Sequence, residues 1–159
     1  MATLSSSLRR RLRSQRGAEL IEFALIFPLL LLVLLGIIDF GFMFQRYEVL
    51  TNATREGARI AVLPGYGLAD VKSRVCSYLT TGGVPTTGCP ANPTNPVVTL
   101  TDTTVPMAIG GTLDAKQVQV VYTHNYMFVG PIIGLMGGSF NSVKPITTRA
   151  IMRSEVANP

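Results

Sequence analysis

From Phe23 to Phe44 the chain runs for 22 residues with one charge, Asp39. Wound as an α-helix at about 1.5 Å per residue, that stretch reaches about 33 Å, enough for the hydrocarbon core of a bilayer. A core helix of a soluble protein keeps a polar stripe, but Leu29 to Leu35 is apolar on every face. Pro28 would break a helix in water, yet it is tolerated as a kink between lipid tails. A cleaved secretory signal is the competing explanation. It needs small residues at A-x-A spacing after the apolar run. Ile37 to Met43 offers none, so the expectation is a retained membrane helix.

Charge sets the direction of that helix. Arg9, Arg10, Arg11, Arg13 and Arg16 all precede Gly17, and every acidic residue follows it. The net charge of +5 therefore belongs to the leader, and the rest of the chain is balanced. The positive-inside rule keeps such a leader cytoplasmic and sends the C-terminal part across the inner membrane. Nucleic-acid binding requires a basic face on a folded domain, and this distribution supplies none.

Glu22 is an acid just inside the apolar run. One reading leaves it among headgroups, where the helix N-terminus favours an anion, as it would for Glu19. The other starts from Gly17. A cut after that glycine would give Ala18 an α-ammonium, with Glu22 one turn further on the same face. The two charges could then enter an apolar helix bundle as a pair.

Here the sequence resembles a known signature. A basic leader, Gly17, Ala18, Glu22, Phe23 and an apolar helix are similar to a prepilin leader of the Tad (tight adherence) class. Phe27-Pro28-Leu29-Leu30, Gly36-Ile-Ile-Asp-Phe-Gly41 and Leu50-Thr-Asn-Ala-Thr-Arg-Glu-Gly-Ala-Arg59 resemble the TadE-like minor pilins. The resemblance is strong over residues 16–62 and rests on general layout beyond, including a terminal Met152-Arg153-Ser154-Glu155. It implies processing between Gly17 and Ala18, an assembly role for Glu22 beside Phe23, and an acidic position at Asp39. The residues themselves leave Asp39 two readings, interfacial solvation or pairing with Arg46.

The helix is expected to continue outward. Tyr47, Leu50, Ala53, Gly57, Ala58 and Ala61 recur at three- and four-residue steps, while Glu48, Arg55, Glu56 and Arg59 read as a solvated face. Pro64-Gly65, with Gly67, ends it. Asn52-Ala53-Thr54 is a sequon by chance. A short helix is predicted over Asp70 to Thr80, with the stripe Leu68, Val71, Val75 and Leu79. Residues 81–96 read as a loop. Strands are predicted over Val97 to Val105, Gln117 to Phe128 and Ser142 to Arg153, with Pro145 marking an edge or a bulge. Gly130 to Phe140 is apolar and glycine-rich. It reads as a loop against a membrane or partner, or as a connector tucked onto the core.

Cys76 and Cys89 are the only cysteines. On the extracytoplasmic side a disulfide would persist, and two buried free thiols are the alternative. Their spacing, with one distant His124, makes no zinc set, so no metal is expected. No phosphate loop, G-x-S-x-G, H-E-x-x-H or C-x-x-C is present. Asp70, Asp102, Asp114 and Glu155 are scattered, and His124 reads as a structural or surface residue. No catalytic residue and no cofactor are expected.

The whole reading is an α+β protein: a basic cytoplasmic leader at 1–17, a transmembrane helix at 18–44 and its outer continuation at 45–63. An extracytoplasmic domain at 64–159 holds a second helix and an antiparallel sheet of three to four strands. The resemblance implies a minor pilin or pseudopilin of a Tad-type pilus. Its partners would be a prepilin peptidase, a second TadE/TadF-like minor pilin, a small Flp-type major pilin and an inner-membrane secretion platform. The alternative is a membrane-anchored periplasmic binding module left uncut at Gly17. An anchored enzyme is more distant.

Overall fold

A computed structural model describes residues 4–108, 110–135, 137–139 and 141–154, with side chains from Gly17 onward. The arginine side chains of the leader and Glu155 lie outside these. Three helices, α1 (Leu4–Ala61), α2 (Leu68–Thr81) and α3 (Val129–Leu135), accompany three strands, β1 (Val97–Pro106), β2 (Thr112–Asn125) and β3 (Val143–Arg153). The α+β class holds, with the sheet at the lower of the two strand numbers expected.

α1 passes through Gly17 and Pro28 without a break. Its length and composition suffice to cross a membrane, and no residue of its most apolar window is buried. A soluble core helix of that composition would be covered. The chain divides into two compact units. One holds α1 up to Phe40 together with the α3 segment, and the other begins at Gly41 and holds α2 and the sheet.

In the second unit the stripe expected on α1 is buried from Leu50 to Ala61, whereas Tyr47, expected with it, is 49% exposed. Leu50, Ala53, Ala58 and Ala61 join Val71, Val75 and Leu79 of α2 and Val98, Val118, Val120, Tyr122 and Ile146 of the sheet in one core. Gly57 sits at the closest approach: a Cβ there would lie 2.7 Å from Val75 Cγ2 and 3.7 Å from Val118 Cγ1. Removing that side chain is what lets α1 press on α2 and the sheet together. The same interface carries a buried polar link, Thr54 Oγ1 to Thr148 Oγ1 at 2.6 Å, while Thr54 also donates to the Leu50 carbonyl.

α2 is bounded at both ends by local chemistry. The Gly67 N–H donates to Asp70 Oδ2 at 2.9 Å, the carboxylate half of a capping box. At its other end the Val84 N–H reaches the Leu79 carbonyl and the Gly83 N–H the Thr80 carbonyl. Gly83 has φ of +71°, and buried Val84 and Leu79 complete a Schellman stop.

The sheet is antiparallel in the order β1-β2-β3. Val98 opposes Val120 and Leu100 opposes Val118. Ile146 opposes Tyr122 and Thr148 opposes Val120. Even-numbered residues of β2 from Val118 to His124 face the core, as their alternation predicts. β1 and β2 run further toward their turn than expected. Gly110 and Gly111, both at positive φ, let the hairpin continue, and Lys116 pairs with Asp102 across it at 3.5 Å. β2 stops at Asn125, not Phe128. Pro145 lies on the edge strand β3, where a missing N–H costs no ladder bond. Within the 81–96 loop, Asn95 pairs its side-chain amide with both backbone groups of Thr123 at 2.9 and 3.0 Å, so a side chain begins the β1–β2 ladder.

Candidate functional site

The residues expected at the processing and assembly site line one open stretch of helix. A Cβ on Gly17 would meet nothing within 4 Å. Ala18 and Glu22 are exposed. Phe23 is 61% exposed, and its ring lies 5.3 Å, centroid to centroid, from that of Phe27 on the same helix. Exposed phenylalanine, leucine and isoleucine side chains continue from there to Phe44, around every face as far as Leu30 and beyond it on the faces turned away from the α3 segment. Such a surface is stable in lipid or against other apolar helices, and unstable in water.

Asp39 is a different case, and its reading as a solvated acid is corrected. It is 2% exposed, so it is not an acid solvated at the interface. Among the described residues its carboxylate is held by backbone amides. Its Oδ1 accepts the Met127 N–H at 3.1 Å, and its Oδ2 accepts those of Phe128 and Val129, both at 2.8 Å. The carboxylate therefore holds the first residue of α3 and the two residues leading into it, satisfying amides that a helix start leaves unpaired. The stretch expected to be a loop from Gly130 is helical at its beginning for this reason.

Arg46 turns instead to His124, Nη1 to Nδ1 at 2.6 Å. A guanidinium can only donate, so Nδ1 is the acceptor. His124 is buried and packs edge-on against Tyr126 at 4.9 Å. Tyr126 in turn donates its hydroxyl to Met43 Sδ at 3.0 Å. His124 is thus a structural residue joining β2 to α1. Burial pushes the Tyr122 hydroxyl above its usual range, and the Arg46 charge partly opposes that.

Among the charges expected on a solvated face, Glu56 is also a partner of α2. Its carboxylate accepts from Arg74 Nη2 at 2.6 Å and Nε at 3.2 Å. That hydrogen bonding, with the nearby Arg74 and Arg59 charges, holds its carboxyl below the usual value despite some desolvation. Cys76 and Cys89 form a disulfide with Cα atoms 5.7 Å apart, tying α2 to the proline-rich loop. A shallow groove of about 390 Å³ between α1 and α2 is lined by Val49, Asn52, Arg74, Ser77, Tyr78 and Thr81. No group of His, Cys, Asp and Glu able to hold a metal ion occurs among the described residues.

These features define a class: a chain with one N-terminal helix fit to cross a membrane, leading into a small disulfide-bridged α+β unit. Within that class, residues 17–59 match the family of TadE-like protein. The matched segment runs from Gly17 through the exposed apolar helix to the part of α1 that packs in the core, and over it the chain is similar to the TadE-like proteins recognised in the sequence. The chain matches none of the curated proteins and none of the solved structures.

Proposed function

We propose that the protein is a minor pilin or pseudopilin of Tad-type pilus biogenesis, anchored in the bacterial inner membrane with its leader cytoplasmic. A prepilin peptidase cuts between Gly17 and Ala18. The chain then acts by association and performs no catalysis. The single observation that carries this reading is the TadE-like match over residues 17–59, laid on a helix whose Glu22 and Phe23 are open to a neighbour. In lipid an unpaired carboxylate is costly. The Ala18 amine of the same chain or a neighbouring one neutralises it as the subunit joins a helix bundle. The partners are a second minor pilin, the small major pilin and the secretion platform, and adhesion is the outcome.

Complementation of a strain lacking the protein tests the assembly role. Glu22→Ala and Glu22→Gln should both accumulate in the membrane at the parental level and leave the cell without pili. Normal piliation by Glu22→Ala would contradict it. A groove between α1 and α2 is what favours a second reading, an anchored binding module, and silence of the Glu22 variants is the result that reading expects.

A further inference from the structure

We infer that the α3 segment is a second membrane-seated element, inserted into the outer leaflet beside α1 with acyl chains as its partner. The inference rests on the membrane-spanning reading of α1 and adds to it. Asp39 lies 17 residues beyond Glu22, about 26 Å along a helix rising about 1.5 Å per residue. If Glu22 marks the inner boundary, Asp39 falls within a hydrocarbon core of about 30 Å. The segment is held there, since Asp39 grips the amides of residues 127–129. Its contact continues deeper: a Cβ on Gly36 would lie 3.9 Å from Val129 Cγ2.

Composition and hydrogen bonding both suit that depth. Residues 126–143 contain no charged side chain. Met127 is 65% and Leu135 89% exposed, an arrangement that water disfavours. Backbone at membrane depth must satisfy its own polar groups. The first three amides are taken by Asp39, the Ile132 N–H reaches the Phe128 carbonyl, and the Gly137 and Gly138 N–H groups close the far end on the Gly134 and Ile133 carbonyls. The carboxylate in turn accepts three N–H bonds, which is how an acid is tolerated at such a position. The lipid is favoured over a protein partner because the apolar surface is continuous with that of the span.

The chain contains no tryptophan, so single-tryptophan variants of the full-length protein in phosphatidylcholine vesicles report depth directly. Leu135→Trp and Met127→Trp both replace exposed side chains. Leu30→Trp marks the span and Tyr66→Trp the outer unit. Vesicles carrying bromines on the acyl chains should quench the probes at 135, 127 and 30, with blue-shifted emission, and spare the one at 66. Quenching at 30 but water-like emission with acrylamide quenching at 135 and 127 would overturn the inference alone. Shielding of 135 and 127 from both quenchers would overturn it in favour of a protein partner, such as a second copy. Loss of bromolipid quenching at 30 would overturn the membrane reading, and this inference with it.

Discussion

Asp39 carries its charge into an apolar helix and is accepted there because three backbone N–H groups converge on it. Hydrogen bonds to a charged group contribute roughly 1.5–3 kcal/mol, and breaking them leaves buried donors unmade. Asp39→Ala should therefore release α3: the amides of Met127, Phe128 and Val129 should lose hydrogen-exchange protection, while Asp39→Asn keeps part of it. Unchanged exchange in Asp39→Ala would show that the clamp contributes nothing. None of this was legible locally. The nearest cation in sequence is Arg46, and the true partners lie 88 to 90 positions away. The Arg46–His124 pair was missed for the same reason, although His124 shares the inward phase of Val118, Val120 and Tyr122. Glu56 is a gentler case. Its carboxyl is depressed by Arg74, so its link to α2 is intact above the ordinary Glu value near 4.5 and is lost as the pH falls through the lowered one. The pair is largely exposed, so it contributes only about 0.2–1 kcal/mol before salt screening. The melting-temperature gap between Arg74→Ala and the parent should be small near neutral pH and vanish in acid. A gap that persists below the titration would assign it to packing of the arginine stem.

The elements with a strong repeat were readable. The stripe Leu68, Val71, Val75, Leu79 pointed to α2, although Leu68 itself is 40% exposed, and the alternation through Tyr122 gave the heart of β2. The small residues of α1 pointed to a close helix crossing, which Gly57 provides. An alanine there gains about 1 kcal/mol of helix propensity over glycine. Its Cβ would press at 2.7 Å on a buried valine, and overpacking costs about 1–3 kcal/mol. Gly57→Ala should lower the melting temperature and Gly57→Val lower it further. Gly41→Ala, where a Cβ meets nothing, should not. Equal melting of Gly57→Val and the parent would mean that the crossing is not tight. The elements that escaped the sequence are those whose limits depend on distant partners: the hairpin ends of β1 and β2, and α3, whose start is supplied by α1. The disulfide was legible as a possibility, since compartment argued for it and geometry could not yet be seen. In the chain-entropy account a loop of about 15 residues contributes about 3 kcal/mol. Cys76→Ser with Cys89→Ser should unfold at lower denaturant by a corresponding amount, and an unchanged midpoint would make the bridge incidental.

On the scale of the whole molecule the chain joins a membrane-grade helix to a core built on the same helix's outer turns, and the TadE-like match over residues 17–59 covers the helix but not the α2 and sheet residues of that core. Helix, sheet and disulfide explain how the chain holds together, but they do not distinguish a subunit that assembles from a domain that is merely anchored. That distinction lies at Gly17 and Ala18, which are open on the helix surface. The measurement that separates them is the intact mass of the protein recovered from membranes, with the prepilin peptidase present and absent. The pilin account predicts a chain beginning at Ala18 only where the peptidase is present. A chain that keeps its arginine leader in both strains would contradict it.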